Sequence, residues 1–246
     1  MIHRAGTEIV NWYLLEEGGR VTVVDAGVSG YRSQLEPALA AIGRTIDDVE
    51  AVVLTHGDSD HTGFAGKLQE ERGIPVYAPR GDLRLVQDGK AKKTEGGPLK
   101  ALPALRHGFT RKVLGHLVRN GGAKPPKVRA VTTFEGGETL DVPGRPHAIH
   151  TPGHTDGHCV LHVPAENALF VGDALNGVDL TTGGRSIRLP QGFMNVSTPT
   201  ALASLDRIEE LDARTLYFGH GDPYEEGTAT AVAQAREVHR AESPRS

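Results

Sequence analysis

Short apolar runs broken by glycine, proline and acidic residues pattern the whole chain. Residues 9–15 and 20–24 flank Glu16-Glu17-Gly18-Gly19, which predicts a β-hairpin with a glycine turn. Apolar positions at Leu35, Leu39 and Ile42 carry helical spacing over 32–42, closed by Gly43. Further strands are expected at 51–54, 74–77, 128–134, 138–142, 147–151, 159–163, 168–172 and 215–218, and helices at 62–72, 200–211 and 228–240. Segments 83–87 and 109–119 could also be helical, with breaks at Gly96-Gly97-Pro98 and Lys124-Pro125-Pro126-Lys127. The stretch 186–197 reads as a long loop of the binding type. Two strand-rich halves punctuated by helices predict a layered α/β architecture.

Several of the strands end in the same way. The run Ala51-Val52-Val53-Leu54 delivers Thr55-His56-Gly57-Asp58-Ser59-Asp60-His61, with four candidate metal ligands in six residues. Ile149-His150-Thr151-Pro152-Gly153-His154, Leu169-Phe170-Val171-Gly172-Asp173 and Leu216-Tyr217-Phe218-Gly219-His220 repeat the design. One His or Asp after a strand is usually a hydrogen-bonded turn residue. Four such loops in order point to a metal centre, and the histidine–aspartate mix suits zinc, iron or manganese. Asp25 ends another strand and is a candidate partner for a ligand histidine.

Composition narrows the setting. With 246 residues, 38% apolar and 24% charged, the chain can bury a substantial core. The single cysteine, Cys159, excludes an internal disulfide, and no apolar run approaches spanning length, so a cytoplasmic protein with no membrane partner is expected. The net charge of −4 is uneven: residues 80–129 hold 13 Lys or Arg against three acids, or +10, leaving −14 elsewhere. That segment looks like an insertion or cap at about 80–127 within a single domain spanning 1–246. It would attract an anionic small molecule or face the acidic surface of a second subunit in a homodimer.

The order His56-x-Asp58-x-Asp60-His61, then His154, Asp173 and His220, resembles the metallo-β-lactamase-fold hydrolase superfamily, in particular its glyoxalase II and lactonase branches. The resemblance implies an αββα four-layer sandwich. It also implies two divalent ions, zinc first, with His56, Asp58 and His154 at one, Asp60, His61 and His220 at the other, and Asp173 bridging. Asp60 would double as the catalytic orienter of a metal-bound hydroxide that cleaves a thioester, lactone or related ester. Asp58 departs from the pattern, where the family most often has histidine. The extra negative charge should favour manganese or iron, and Asp58 is expected to remain a ligand. A phosphodiesterase and an iron-dependent enzyme like the persulfide dioxygenases are the competing expectations. Nucleic acid is disfavoured by the net acidic chain, and true β-lactamase activity by the presence of Asp173. His158 is expected to support the site, His147, His150 and His162 to be ordinary strand residues, and His107 and His116 to be solvated. Phe64, Phe109, Phe193 and Met194 are the apolar residues expected around a pocket.

Overall fold

The computed structural model describes residues 1–89, 91–122 and 127–242. One sheet runs β1 (Ile2–Gly6), β2 (Asn11–Glu17), β3 (Arg20–Val24), β4 (Val49–Val53), β5 (Val76–Pro79) and β6 (Val131–Phe134) in spatial order. Its first three strands are antiparallel and the rest parallel. The second half begins with β7 (Glu138–Thr139), β8 (His147–His150), β9 (Cys159–Val163) and β10 (Ala168–Gly172). A two-stranded ribbon follows, β11 (Asn176–Val178) with β12 (Arg185–Arg188), before β13 (Thr215–Phe218). The second sheet has the order β13-β10-β9-β8-β7. The helices are α1 (Leu35–Ala41), α2 (Ser59–Thr62), α3 (Ala65–Arg72), α4 (Leu83–Asp88), α5 (Gly108–Arg119), α6 (Thr198–Glu209) and α7 (Thr228–Glu242).

Strand alternation sorts the apolar side chains into three layers. On β2, Trp12 and Leu14 join Leu35 and Leu39 of α1 and Leu68 of α3 on one side. Tyr13 and Leu15 of the same strand turn the other way. They meet Val24, Val53, Leu161, Val163 and Phe170 between the sheets. On β9, Val160 points outward with Leu169 and Val171 to pack against Leu205, Ile208, Ala231 and Val232 of α6 and α7. Helix, sheet, sheet, helix is the αββα sandwich expected. Both faces of each central strand are covered, which explains why those strands read as near-continuous apolar runs.

Several expectations need correction: the helix expected over 62–72 begins only at Ala65, after a separate turn Ser59–Thr62, and the strand expected over 138–142 covers only Glu138–Thr139. The edge strand β1 was not anticipated, because Ile-His-Arg-Ala-Gly lacks a β-branched run and its residues are mostly half-buried. The supposed loop 186–197 begins within β12 and contains the short 3₁₀ turn Gly192–Met194, so it is partly ordered by pairing with β11. Phe64 is fully buried against Trp12, with ring centroids 5.2 Å apart, and belongs to the core rather than a pocket.

Between β5 and β6 the chain passes through α4, a 3₁₀ stretch Pro98–Arg106 and α5. Lys90 and the 124–126 part of the expected break lie outside the described residues. A few basic residues of this positive segment pair with acids of the acidic remainder: Arg80 with Glu135 at 2.6 Å, Arg129 with Glu70 at 3.9 Å, and Lys112 with Glu8. These pairs are exposed and contribute little stability each. His116 is not simply solvated, since its Nε2 lies 2.5 Å from the Tyr31 hydroxyl. No helix among the described residues is long and apolar enough to cross a membrane.

Candidate metal centre

The carboxyl ends of β3, β4, β10 and β13, and the loop after β8, meet at one edge of the sandwich. The β4 end supplies His56, Asp58, Asp60 and His61, the last two within the single turn α2. The second sheet supplies His154, Asp173 and His220. Two contacts set the sheets against one another here. Asn11 donates its backbone N–H to Gly219 O at 2.8 Å, and Cys159 N–H bonds Thr55 O at 2.9 Å. Gly219 is required: a Cβ there would lie 2.4 Å from Asp173 Oδ1 and 2.4 Å from His61 Cε1.

All seven candidate ligands converge. The ligand atoms of His56, His154 and Asp173 lie within 4.8 Å of one another, as do those of Asp60, His61 and His220. Asp173 stands between the groups. Its Oδ1 is 3.4 Å from His61 Nε2, and its Oδ2 is 3.5 Å from His154 Nε2 and 3.1 Å from His220 Nε2.

The surrounding hydrogen bonds assign one tautomer to every ligand imidazole. His61 donates its Nδ1–H to Asp25 Oδ2 at 2.8 Å, and His220 donates to Ile9 O at 2.5 Å. His154 donates to Asn195 Oδ1 at 3.0 Å. That amide is held in orientation by Asn195 Nδ2 donating to Pro190 O at 3.1 Å. Thr55 spends its hydroxyl proton on Asp25, 2.9 Å away, and so accepts from His56 Nδ1–H at 3.0 Å. With Nδ1 engaged in each ring, Nε2 is the atom that faces the centre. His158 has the same tautomer but a different use. Its Nε2 accepts the backbone N–H of Asp173 at 3.1 Å, and its Nδ1–H goes to Thr151 Oγ1 at 3.0 Å. It supports the site and is not a ligand candidate.

Lone pairs and carboxylates aimed at one another require positive charge between them. His56 Nε2, His61 Nε2 and Asp173 Oδ1 are buried without a hydrogen-bond partner, an arrangement that is costly in a protein interior. Burial opposes charge on His61, yet the Asp25 and Asp173 carboxylates outweigh it and hold its pKa well above the usual range. Burial likewise opposes ionisation of Asp173, but His220 and His61 hold its carboxyl well below the usual range. This donor set fits divalent cations by type, by orphaned atoms and by charge.

Four residues that the sequence reading did not single out complete the site. Asp82, fully buried, accepts from Gly57 N–H at 2.8 Å, Thr155 Oγ1–H at 2.6 Å and Gly157 N–H at 2.8 Å, tying together two ligand loops. Asn195 and Thr55 set the two tautomers described above. Lys92, from the positive segment, places Nζ 2.5 Å from Asp58 Oδ2 and 2.6 Å from His154 Nε2. Asp58 itself stands beside the His56–His154–Asp173 group, with its Oδ2 3.0 Å from His154 Nε2 and 3.6 Å from His56 Nε2. Burial would raise its pKa, but the Lys92 ammonium and the two imidazoles hold it well below the carboxylate range.

A sequence profile of the metallo-beta-lactamase superfamily matches residues 5–220, a span that holds every one of these groups. The chain belongs to the metallo-beta-lactamase superfamily. A probable metallo-hydrolase of Bacillus subtilis is 26% identical over 232 residues, covering 90% of this chain and 84% of the relative. A beta-lactamase-like protein 2 homolog of Caenorhabditis elegans is 28% identical over 86% of this chain, which spans only 55% of the worm protein. Among solved structures, a metallo-beta-lactamase family protein from Thermus thermophilus superposes with a TM-score of 0.70 at 27% identity, covering 98% of this chain and 79% of that one. The superfamily, the fold and the metallo-hydrolase relatives together make this chain an enzyme of the metal-dependent hydrolase type.

Proposed function

We propose that the chain hydrolyses an acyl bond (a thioester, lactone or related ester) of an anionic small molecule. The observation that carries the metal-dependent part is Asp173, whose two carboxylate oxygens face His61 on one side and His154 and His220 on the other. This lays out two cationic positions around one carboxylate. A divalent ion held there, zinc first on the histidine-rich donors, would lower the pKa of a water and oppose the charge developing on the acyl oxygen. His61, His220 and Asp60, with Asp173, would hold it at one of these positions, and His56 and His154 line the other. Asp60, 3.6 Å from His220 Nε2 and one-fifth exposed, lines the cavity beside the centre and would orient the attacking water and take its proton. The acyl preference is supported by a hydroxyacylglutathione hydrolase of Rhizobium meliloti, 26% identical over 75% of this chain and matched across 53% of its own length. The anion preference rests on the lysine-rich segment that delivers Lys92 to the site.

A phosphodiester substrate is the second reading. It is favoured by 32% identity over 80 residues to an exodeoxyribonuclease of Streptococcus pneumoniae. Chelated protein reloaded with zinc, manganese or iron and offered a thioester, a lactone and a phosphodiester separates the two. Turnover of the thioester or lactone supports the proposal, and turnover of the phosphodiester alone overturns it.

A further inference from the structure

We infer that Lys92 is the resident cation of the first position, so that this chain takes a single divalent ion, at Asp60, His61, His220 and Asp173. The inference deepens the proposed function and rests on its metal-dependent reading.

Lys92 and Asp58 form a matched pair inside the site. The ammonium donates to Asp58 Oδ2 at 2.5 Å and to the bare Nε2 of His154 at 2.6 Å, and the lysine side chain is only 9% exposed. Those two atoms, with His56 Nε2 and Asp173, are the donors a metal at this position would use. A divalent ion would therefore have to displace the ammonium or sit against it. Displacement strips Asp58 of its short ion pair, and coexistence sets like charges at contact distance in a largely buried place.

The pair also accounts for the aspartate that departs from the family pattern. A neutral imidazole at residue 58 would leave a buried ammonium without a counter-ion, whereas a carboxylate neutralises it. On this inference Asp58 serves the lysine rather than a metal. The lysine is held by more than its own contacts. Three residues on, Glu95 is sewn to the loop that carries Asn195, by Glu95 N–H to Asn195 O at 2.7 Å and Thr198 N–H to Glu95 Oε2 at 2.9 Å. The loop that fixes the His154 tautomer thus also fixes the approach of Lys92. Among the described residues, the second position faces no such competitor. His61 and His220 lean on Asp25 and on Ile9 O, and Asp60, Asp173 and the two imidazoles face one another there.

The test is metal stoichiometry, read by elemental analysis and by zinc titration calorimetry of chelated protein. Wild type should take one equivalent and Lys92→Met two. His220→Ala should lose the single equivalent, while Asp58→Asn should keep it. Two equivalents in wild type, or one in both wild type and Lys92→Met, would overturn the inference while leaving the hydrolase reading intact. No bound metal in any variant would overturn the metal-dependent reading itself.

Discussion

Asp25 reaches His61 from a left-handed backbone: at φ +56° it accepts the imidazole Nδ1–H at 2.8 Å while also receiving the Thr55 N–H and hydroxyl. A non-glycine residue held in that region is strained. Here the strain aims one carboxylate at two of the side chains that orient the metal centre. Asp25→Ala should therefore free both His61 and, through Thr55, His56. Zinc affinity is expected to fall about 10- to 100-fold, measured by competition with a chelator. An unchanged affinity would mean that packing alone orients these rings.

Asp82 is the buried hub of the two loops that carry His56 and His154. Its removal in Asp82→Ala leaves the N–H groups of Gly57 and Gly157 and the Thr155 hydroxyl without their acceptor. At about 1 kcal/mol or more for each orphaned group, a loss of roughly 3 kcal/mol is expected, read from the urea midpoint of the metal-free protein. A loss below about 1 kcal/mol would show that water replaces the carboxylate.

Acid sensitivity should trace in part to Asp179. Burial opposes its ionisation, but the Thr181 N–H, the Thr182 hydroxyl and Arg188 outweigh it and hold its pKa below the usual value. A depressed folded pKa contributes stability above the usual carboxylate range, which is lost as pH falls through and below it. Asp179→Asn should be less stable than wild type at neutral pH, with the difference shrinking towards low pH in thermal melts. Gln191 also donates to Asp179 Oδ1, an acceptor that asparagine keeps, so the loss falls on the Oδ2 contacts with Thr182 and Arg188.

Cys159 is fully buried between the sheets, and burial pushes its thiol up to about 12. Native protein should resist iodoacetamide at pH 8 and react only on unfolding, as followed by mass spectrometry. Rapid labelling of the folded protein would place this strand nearer to solvent than the structure does.

The candidate metal residues were legible in the sequence because they follow apolar strands, and the resemblance to the superfamily sorted them into two groups; the structure brings His56, Asp60, His61, His154, Asp173 and His220 together at one edge. Asp25 was legible for the same reason. Lys92, Asp82 and Asn195 were not. They lie in stretches whose local composition reads as helix, turn or loop, and their role arises from long-range contacts across 25 to 75 positions of chain. Asp58 was recognised as unusual, but the reason for it stands on another segment, and no spacing rule connects residues 58 and 92. Phe64 was misplaced by its nearness in sequence to the cluster. One turn of helix α2 is enough to carry it from the site into the core.

Each half of the centre draws donors from both sheets: His56 with His154, and Asp60 and His61 with His220. An ion held by Asp60, His61 and His220 would act as a rivet through the seam of the sandwich. The seam beneath it is narrow, framed by Tyr13, whose hydroxyl bonds Phe218 O across the sheets at 2.6 Å. Loading would stiffen the joint between the halves, so the same atoms that serve chemistry would also govern how easily the two sheets breathe apart.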